Sequence, residues 1–364
     1  MKQDKLLEEL EKERKNIKTD SYSMSIGELI NLYKDGELKL NPAFQRLFRW
    51  NDEQKTNFIE SILIGIPIPE IFVAQKKDGK WDIVDGVQRI STLLQLTGDL
   101  PGFNPLVLEE TAYLPALVGF TWDTLPLDMK RILRRGKIGI NIILTENSIQ
   151  SQYELFKRLN TGGLHLEPQE IRNCLLIMTD EKFYVTINGL KNYPNFKKCL
   201  IINEERYKEE YHMELIIRYL IAKLDIVDYD NYNISQDKLS HFIDKEIIRV
   251  IQISGFDLDK EIDIFKRTFD YLSKTLGANT FKKYNSSKSK FEGAFSNSSF
   301  EAITGGVANN IDVISGKSKD EFKTDIINMY NEDRFNNAAK RGVKAIARFK
   351  EMAKFSKEYF QNEI

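Results

Sequence analysis

The stretch 70–98, EIFVAQKKDGKWDIVDGVQRISTLLQLTG, constrains the fold more than any other part of the chain. Two short β-branched and aromatic runs, EIFVAQ and KWDIVD, flank Lys77-Asp78-Gly79-Lys80, which is hairpin chemistry. The second run passes through Asp85-Gly86 directly into VQRISTLLQLT, a helical pattern that ends at Gly98. A hairpin that feeds a helix through a two-residue turn calls for a mixed sheet with helices on it, so the fold class is α+β. The flanks agree. Ser25 with Glu28 starts a helix. Asn51 or Asp52 caps a second, with Phe58, Ile59, Ile62 and Leu63 inward and Gly65 at its end. Residues 99–135 are rich in Pro and Gly and read as irregular, and KIGINIILTE adds a strand with Gly139 inside it.

From Ser151 onward helical periodicity takes over, with no fixed-period repeat. Three regions follow: a charged N-terminal arm over 1–20 with Leu6, Leu7 and Leu10 as a thin apolar stripe, an α+β domain over 21–148, and a helical domain over 149–364. KKYNSSKSK (282–290) and SNSSF (296–300) read as polar loops within the last. The 364 residues carry a net charge of −1, so only a local patch would bind nucleic acid. Cys174 and Cys199 lack metal or redox spacing, and no run approaches the ~20 apolar residues of a membrane span. The expectation is a cytoplasmic protein that does not enter membranes; a homo-oligomer stays open.

The chemistry concentrates at VDGVQR. A helix N-terminus presents unpaired N–H groups and the positive end of a dipole, which suits a phosphate. Gly86 would let a ligand approach the backbone. Arg89 carries a planar fork for phosphate oxygens, and Gln88 can orient a water or grip a base. Asp85 can cap the helix, hold Mg²⁺ through a water, or act as a base. The same residues also make an ordinary capped turn. Asp82 and Asp85, three apart on a strand, are expected on opposite faces, which argues against a shared ion.

A second Gln-Arg pair, Gln45-Arg46, sits in NPAFQRLFRW among Phe44, Phe48 and Trp50, which are expected to be structural. In ELFKRLNTGGLHLEPQEIRN, Asn160, Gly162 and Gly163 close a helix and could form a nest of N–H groups for an anion. The three histidines, His165, His212 and His241, form no metal pattern. Gly316-Lys317-Ser318 lacks the earlier glycine of a phosphate loop, since Ile311 stands there. Near the C-terminus Lys340, Arg341, Lys344 and Arg348 lie on what reads as one basic helix able to track DNA phosphates.

QRLFRW, GIPIPEIFVA, IVDGVQRISTLLQL and ELFKRLNTGGLHLEPQEIRN, in that order, resemble the GmrSD-type restriction endonuclease N-terminal domain, over roughly residues 22–180. That family is grouped with the ParB/sulfiredoxin-like superfamily. The resemblance implies a ParB-like fold and a nucleotide pocket around the Asp-Gly-x-Gln-Arg turn, used with NTP and Mg²⁺ in defence against foreign DNA. Carried over, the catalytic set is Asp85, Gln88 and Arg89, with Asp85 near Mg²⁺; Gln45, Arg46, Gly86, Asn160, Gly162 and Gly163 bind nucleotide. Val87 replaces the family's usual Gln. Many relatives carry an HNH nuclease domain, and these histidines do not supply one. The expected function is an NTP-binding, NTP-hydrolysing component of a restriction system whose DNA cutting falls to a partner chain. The rival reading is a non-catalytic DNA-binding or nucleotide-sensing adaptor that recruits a separate effector.

Overall fold

The computed structural model describes residues 6–8, 10, 19–40, 50–76, 78–144 and 168–362. Gln45, Arg46, Asn160, Gly162, Gly163 and His165 therefore lie outside the described residues. The chain divides into two compact units, residues 1–165 and 166–364.

The first unit is built on a five-stranded mixed sheet in the order β1-β5-β3-β4-β2. The strands are β1 (Thr19–Ser25), β2 (Leu38–Lys39), β3 (Ile71–Gln75), β4 (Trp81–Asp85) and β5 (Lys137–Ile143). β3 runs parallel to β5 and antiparallel to β4. Register brings Ile71 opposite Ile140, and Val73 opposite both Ile142 and Ile83. All five are at most 5% exposed, so this face is the core. The helices are α1 (Ile26–Lys34), α2 (Asp52–Ile64), α3 (Val87–Thr97) and α4 (Leu127–Arg135). The Ser25 hydroxyl caps α1 by accepting from Glu28 N, Asn51 and Gln54 form a capping box on α2, and left-handed Gly65 and Gly98 end α2 and α3.

One expectation changes here and one element was unannounced. Residues 19–25 form an edge strand with five exposed positions, which no apolar alternation announces. Residues 127–135, expected to be irregular, are helical, with only Leu133 buried. The rest of 99–135 is tied to α2. Glu109 N donates to Thr56 Oγ1 at 3.1 Å, and Tyr113 N and Leu114 N donate to Glu60 Oε1 at 2.9 and 2.7 Å.

The second unit is helical: α5 (Pro168–Thr179), α6 (Glu181–Leu190), α7 (Pro194–Cys199), α8 (Glu204–Lys208), α9 (Tyr211–Leu224), α10 (Leu239–Gln252), α11 (Leu258–Thr275), α12 (Asn297–Asn309), α13 (Ile311–Ile314), α14 (Lys319–Met329), α15 (Asp333–Ala338) and α16 (Ala345–Asn362). α12 is buried nearly all round and packs against α9 and α16. Gly306 permits the α16 contact, because a Cβ there would stand 2.0 Å from the Phe360 ring.

Both polar loops expected in this region turn out otherwise. Residues 283–285 and 290–292 pair as β6 and β7, and Ser296 caps α12. Ser318 caps α14 in a box with Glu321, and Lys317 pairs with Asp325 at 2.8 Å. Gly316-Lys317-Ser318 is thus a helix start. Cys174 and Cys199 are buried free thiols, and burial pushes Cys199 up to about 11.

Candidate functional site

At the end of β4 the chain turns through Gly86, whose φ of +96° is a left-handed conformation. A Cβ on Gly86 would stand 3.0 Å from Ile71 Cγ1. The glycine is therefore required by the turn and by packing on β3, and Ile71 fills the side from which a ligand was expected to approach. α3 then starts with no side-chain cap.

Gly86 holds the cap position, and Asp85, expected as the cap, lies one residue before it and is turned onto Arg89. Arg89 Nη2 donates to Asp85 Oδ2 at 3.0 Å, while Nη1 donates to the carbonyls of Pro69 and Glu70. The Arg89 fork expected to meet phosphate thus pins the start of β3 to the first turn of α3 and fixes Asp85. Its side chain is 12% exposed against 32% for Asp85. Gln88 Oε1 accepts from Trp50 N at 3.1 Å, and Trp50 packs on Phe58 with centroids 5.6 Å apart. Val87 is buried, so the apolar replacement packs within the domain.

The sheet brings further groups to the same place. Phe72 lies between Asp85 on β4 and Asn141 on β5. Asn141 Nδ2 donates to Glu70 Oε2. Gly139 makes that possible, since a Cβ there would be 2.7 Å from Glu70 Cγ. Glu70 and Asn141 were missed in the sequence reading; the glycine inside β5 was the available signal.

The two aspartates also correct an expectation. β4 shifts register by one residue between Ile83 and Asp85, so Asp82 opposes Ala74 and Asp85 opposes Phe72. Those partners are two apart on β3, which places both aspartates on one side of the sheet. Asp82 is nonetheless buried and paired with Lys76 at 2.7 Å. Among the described residues no group of three or more His, Cys, Asp or Glu could hold a metal ion. Asp85 fits Mg²⁺ only as a single carboxylate beside phosphate and water ligands.

The basic C-terminal stretch is not one helix. Lys340 and Arg341 sit in the turn between α15 and α16, before left-handed Gly342, and Lys344 directly precedes α16. These three are exposed, and Lys340 bonds Asn337 Oδ1 at 2.6 Å. Arg348 faces inward: Nε and Nη2 grip both oxygens of buried Glu301 at 2.9 and 3.0 Å. Glu301 also receives Arg218, which bonds Glu214; Glu214 meets Arg172, and Arg172 meets Asp244 at 2.7 Å. Arg348 therefore closes a chain of three buried-side arginines and three carboxylates and is not placed to contact DNA.

No helix among the described residues is long and apolar enough to cross a membrane. No curated protein and no solved structure matches the chain significantly. The family comparison does give a match, in agreement with the motifs read above: residues 26–177, rather less than half of the chain, are similar to the GmrSD restriction endonuclease, N-terminal domain.

Proposed function

We propose that residues 21–148 form a ParB/sulfiredoxin-like nucleotide site that binds and hydrolyses an NTP within a restriction or anti-phage system. The observation that carries this reading is the start of α3. Left-handed Gly86 takes the cap position, so the helix starts with no side-chain cap, and the preceding Asp85 is engaged by Arg89. A helix start of this kind attracts a polyphosphate through its amides and dipole. Arg89 acts as a positioning residue: it fixes Asp85 and joins β3 to the helix. Asp85 would be the carboxylate for Mg²⁺ arriving with the triphosphate, and that ion would neutralise developing phosphate charge. Asn141 and Glu70 extend the polar rim, and Gln88 fixes the chain entering α2 through Trp50. Gln45, Arg46, Asn160, Gly162 and Gly163 are proposed to complete the pocket, with DNA and a nuclease chain as partners.

Phosphate release by the full chain with Mg²⁺ and each of the four NTPs, with and without DNA, tests the reading. Arg89→Ala and Asp85→Asn should each lower turnover by about 10- to 150-fold, the equivalent of ~1.5–3 kcal/mol for a lost charge-assisted contact. Nucleotide binding with no turnover in any condition would move the assignment to a sensing adaptor. Wild-type turnover in both variants would remove the site from VDGVQR altogether.

A further inference from the structure

The second unit carries a two-stranded ribbon, β6 (Lys283–Asn285) and β7 (Lys290–Glu292). It pairs antiparallel, Lys283 opposite Glu292, Tyr284 opposite Phe291 and Asn285 opposite Lys290. Strand alternation therefore sorts its side chains onto two faces. Tyr284 and Phe291 share one face, 5.1 Å apart, and Phe291 lies 6.3 Å from Tyr330. Tyr330 is 92% buried, donates to Lys282 O at 2.8 Å and stands 2.9 Å from Ser299 Oγ. The aromatic face is thus anchored on the helical core.

The other face carries Lys283, Asn285, Lys290 and Glu292, and the tip adds Ser286, Ser287 and Lys288. Lys283, Lys288 and Lys290 are exposed. The single acid, Glu292, collects Asn285 Nδ2 at 2.6 Å, Lys288 Nζ at 3.1 Å and Lys290 Nζ at 3.4 Å. Three lysines against one glutamate, with hydroxyls between them, depart from a chain whose net charge is −1.

We infer that this ribbon is a docking surface for duplex DNA, with Lys283, Lys288 and Lys290 on phosphates and Glu292 competing with the phosphates for the last two. The lysines and serines are the donor types that meet the DNA backbone, and a two-stranded ribbon fits the major groove. Phe291 packs on Tyr330 and Tyr284 on Phe291, which leaves the lysine face as the outward one. The choice of DNA as the polyanion rests on the restriction-related reading.

The test is binding of a labelled DNA duplex by the full chain at several salt concentrations, read by fluorescence anisotropy. The triple variant Lys283→Gln, Lys288→Gln, Lys290→Gln should bind at least 10-fold more weakly, with a log–log salt slope shallower by about 2 to 3, near 0.9 per lost phosphate contact. Glu292→Gln keeps an acceptor for Asn285 while removing the one negative charge, and should bind more tightly than wild type. Unchanged affinity and slope in the triple variant overturns the inference, as does wild type that binds phosphatidylserine vesicles but not duplex. Phosphate release separates this from the nucleotide reading: turnover with ribbon-independent DNA binding removes only the ribbon, and ribbon-dependent binding without turnover removes only hydrolysis.

Discussion

Gly86 shows how much a single position decides. Its backbone angle is costly for any other residue, and the space beside it is filled by Ile71. Gly86→Ala should destabilise the first unit by about 1–3 kcal/mol, the usual cost of a strained backbone site, seen as a lower urea midpoint. The substitution should also lower nucleotide affinity, since the start of α3 would shift. Glu301 is the counterpart in the helical unit. It is 2% exposed and answers both Arg218 and Arg348. Glu301→Ala should cost about 3–5 kcal/mol, because Arg348 loses its carboxylate and Arg218 is left with Glu214 alone. Arg348→Met should cost less than Glu301→Ala, since it leaves Glu301 still paired with Arg218.

Among elements, the α12–α16 contact is the closest fit. Gly306→Ala drives a methyl into the Phe360 ring, and overpacking of this kind typically costs 1–3 kcal/mol. Phe360→Leu in the same chain should recover part of that loss, which a double-mutant cycle on thermal midpoints would show. Elements were legible in the sequence where their signals are local: the Ser25 and Asn51 caps, the glycines ending α2 and α3, and the α9 stretch, whose apolar run fixes both its ends. β1 was not legible, because it is held by pairing with β5 and exposes most of its residues. The one-residue shift in β4 defeats alternation counting, so the faces of Asp82 and Asp85 were misassigned. The candidate site follows the same rule. The DGVQR turn is contiguous and could be read, whereas Glu70 and Asn141 are joined only by the parallel pairing of β3 with β5. Arg348 was read as a surface cation because Glu301, its partner, is far along the chain.

At the scale of the molecule, acid should weaken both units. Burial alone would raise Glu60, but the Thr111 hydroxyl and the Leu114 and Tyr113 amides outweigh it and hold Glu60 low. Burial likewise opposes ionisation of Glu214, and Arg218 and Arg172 overcome it. Stability from both is complete above the ordinary value of 4.5 and is lost as pH falls through their lowered values. His212 acts earlier. Burial lowers it to about 4, with Glu210 opposing and Lys191 and Lys197 adding to the effect. The unfolded chain then binds a proton that the folded chain refuses, so stability drops from about pH 6.5 down to about 4. Thermal midpoints should fall across that window, and His212→Gln should flatten the upper part of the fall.

The place of Arg172 bears on how the chain can be cut. Residues 26–177 match the family, yet the end of that span, α5, folds into the second unit. Arg172 is fully buried there against Asp244 and Glu214, beside buried Cys174, Leu175 and Leu176. A recombinant fragment that stops at residue 177 would keep the cation and the apolar turn and discard both of its carboxylates, Glu214 and Asp244. Such a piece should precipitate on expression, while one ending before Pro168 should stay in solution. Where the homology stops and where the chain can be safely divided are different addresses in this protein.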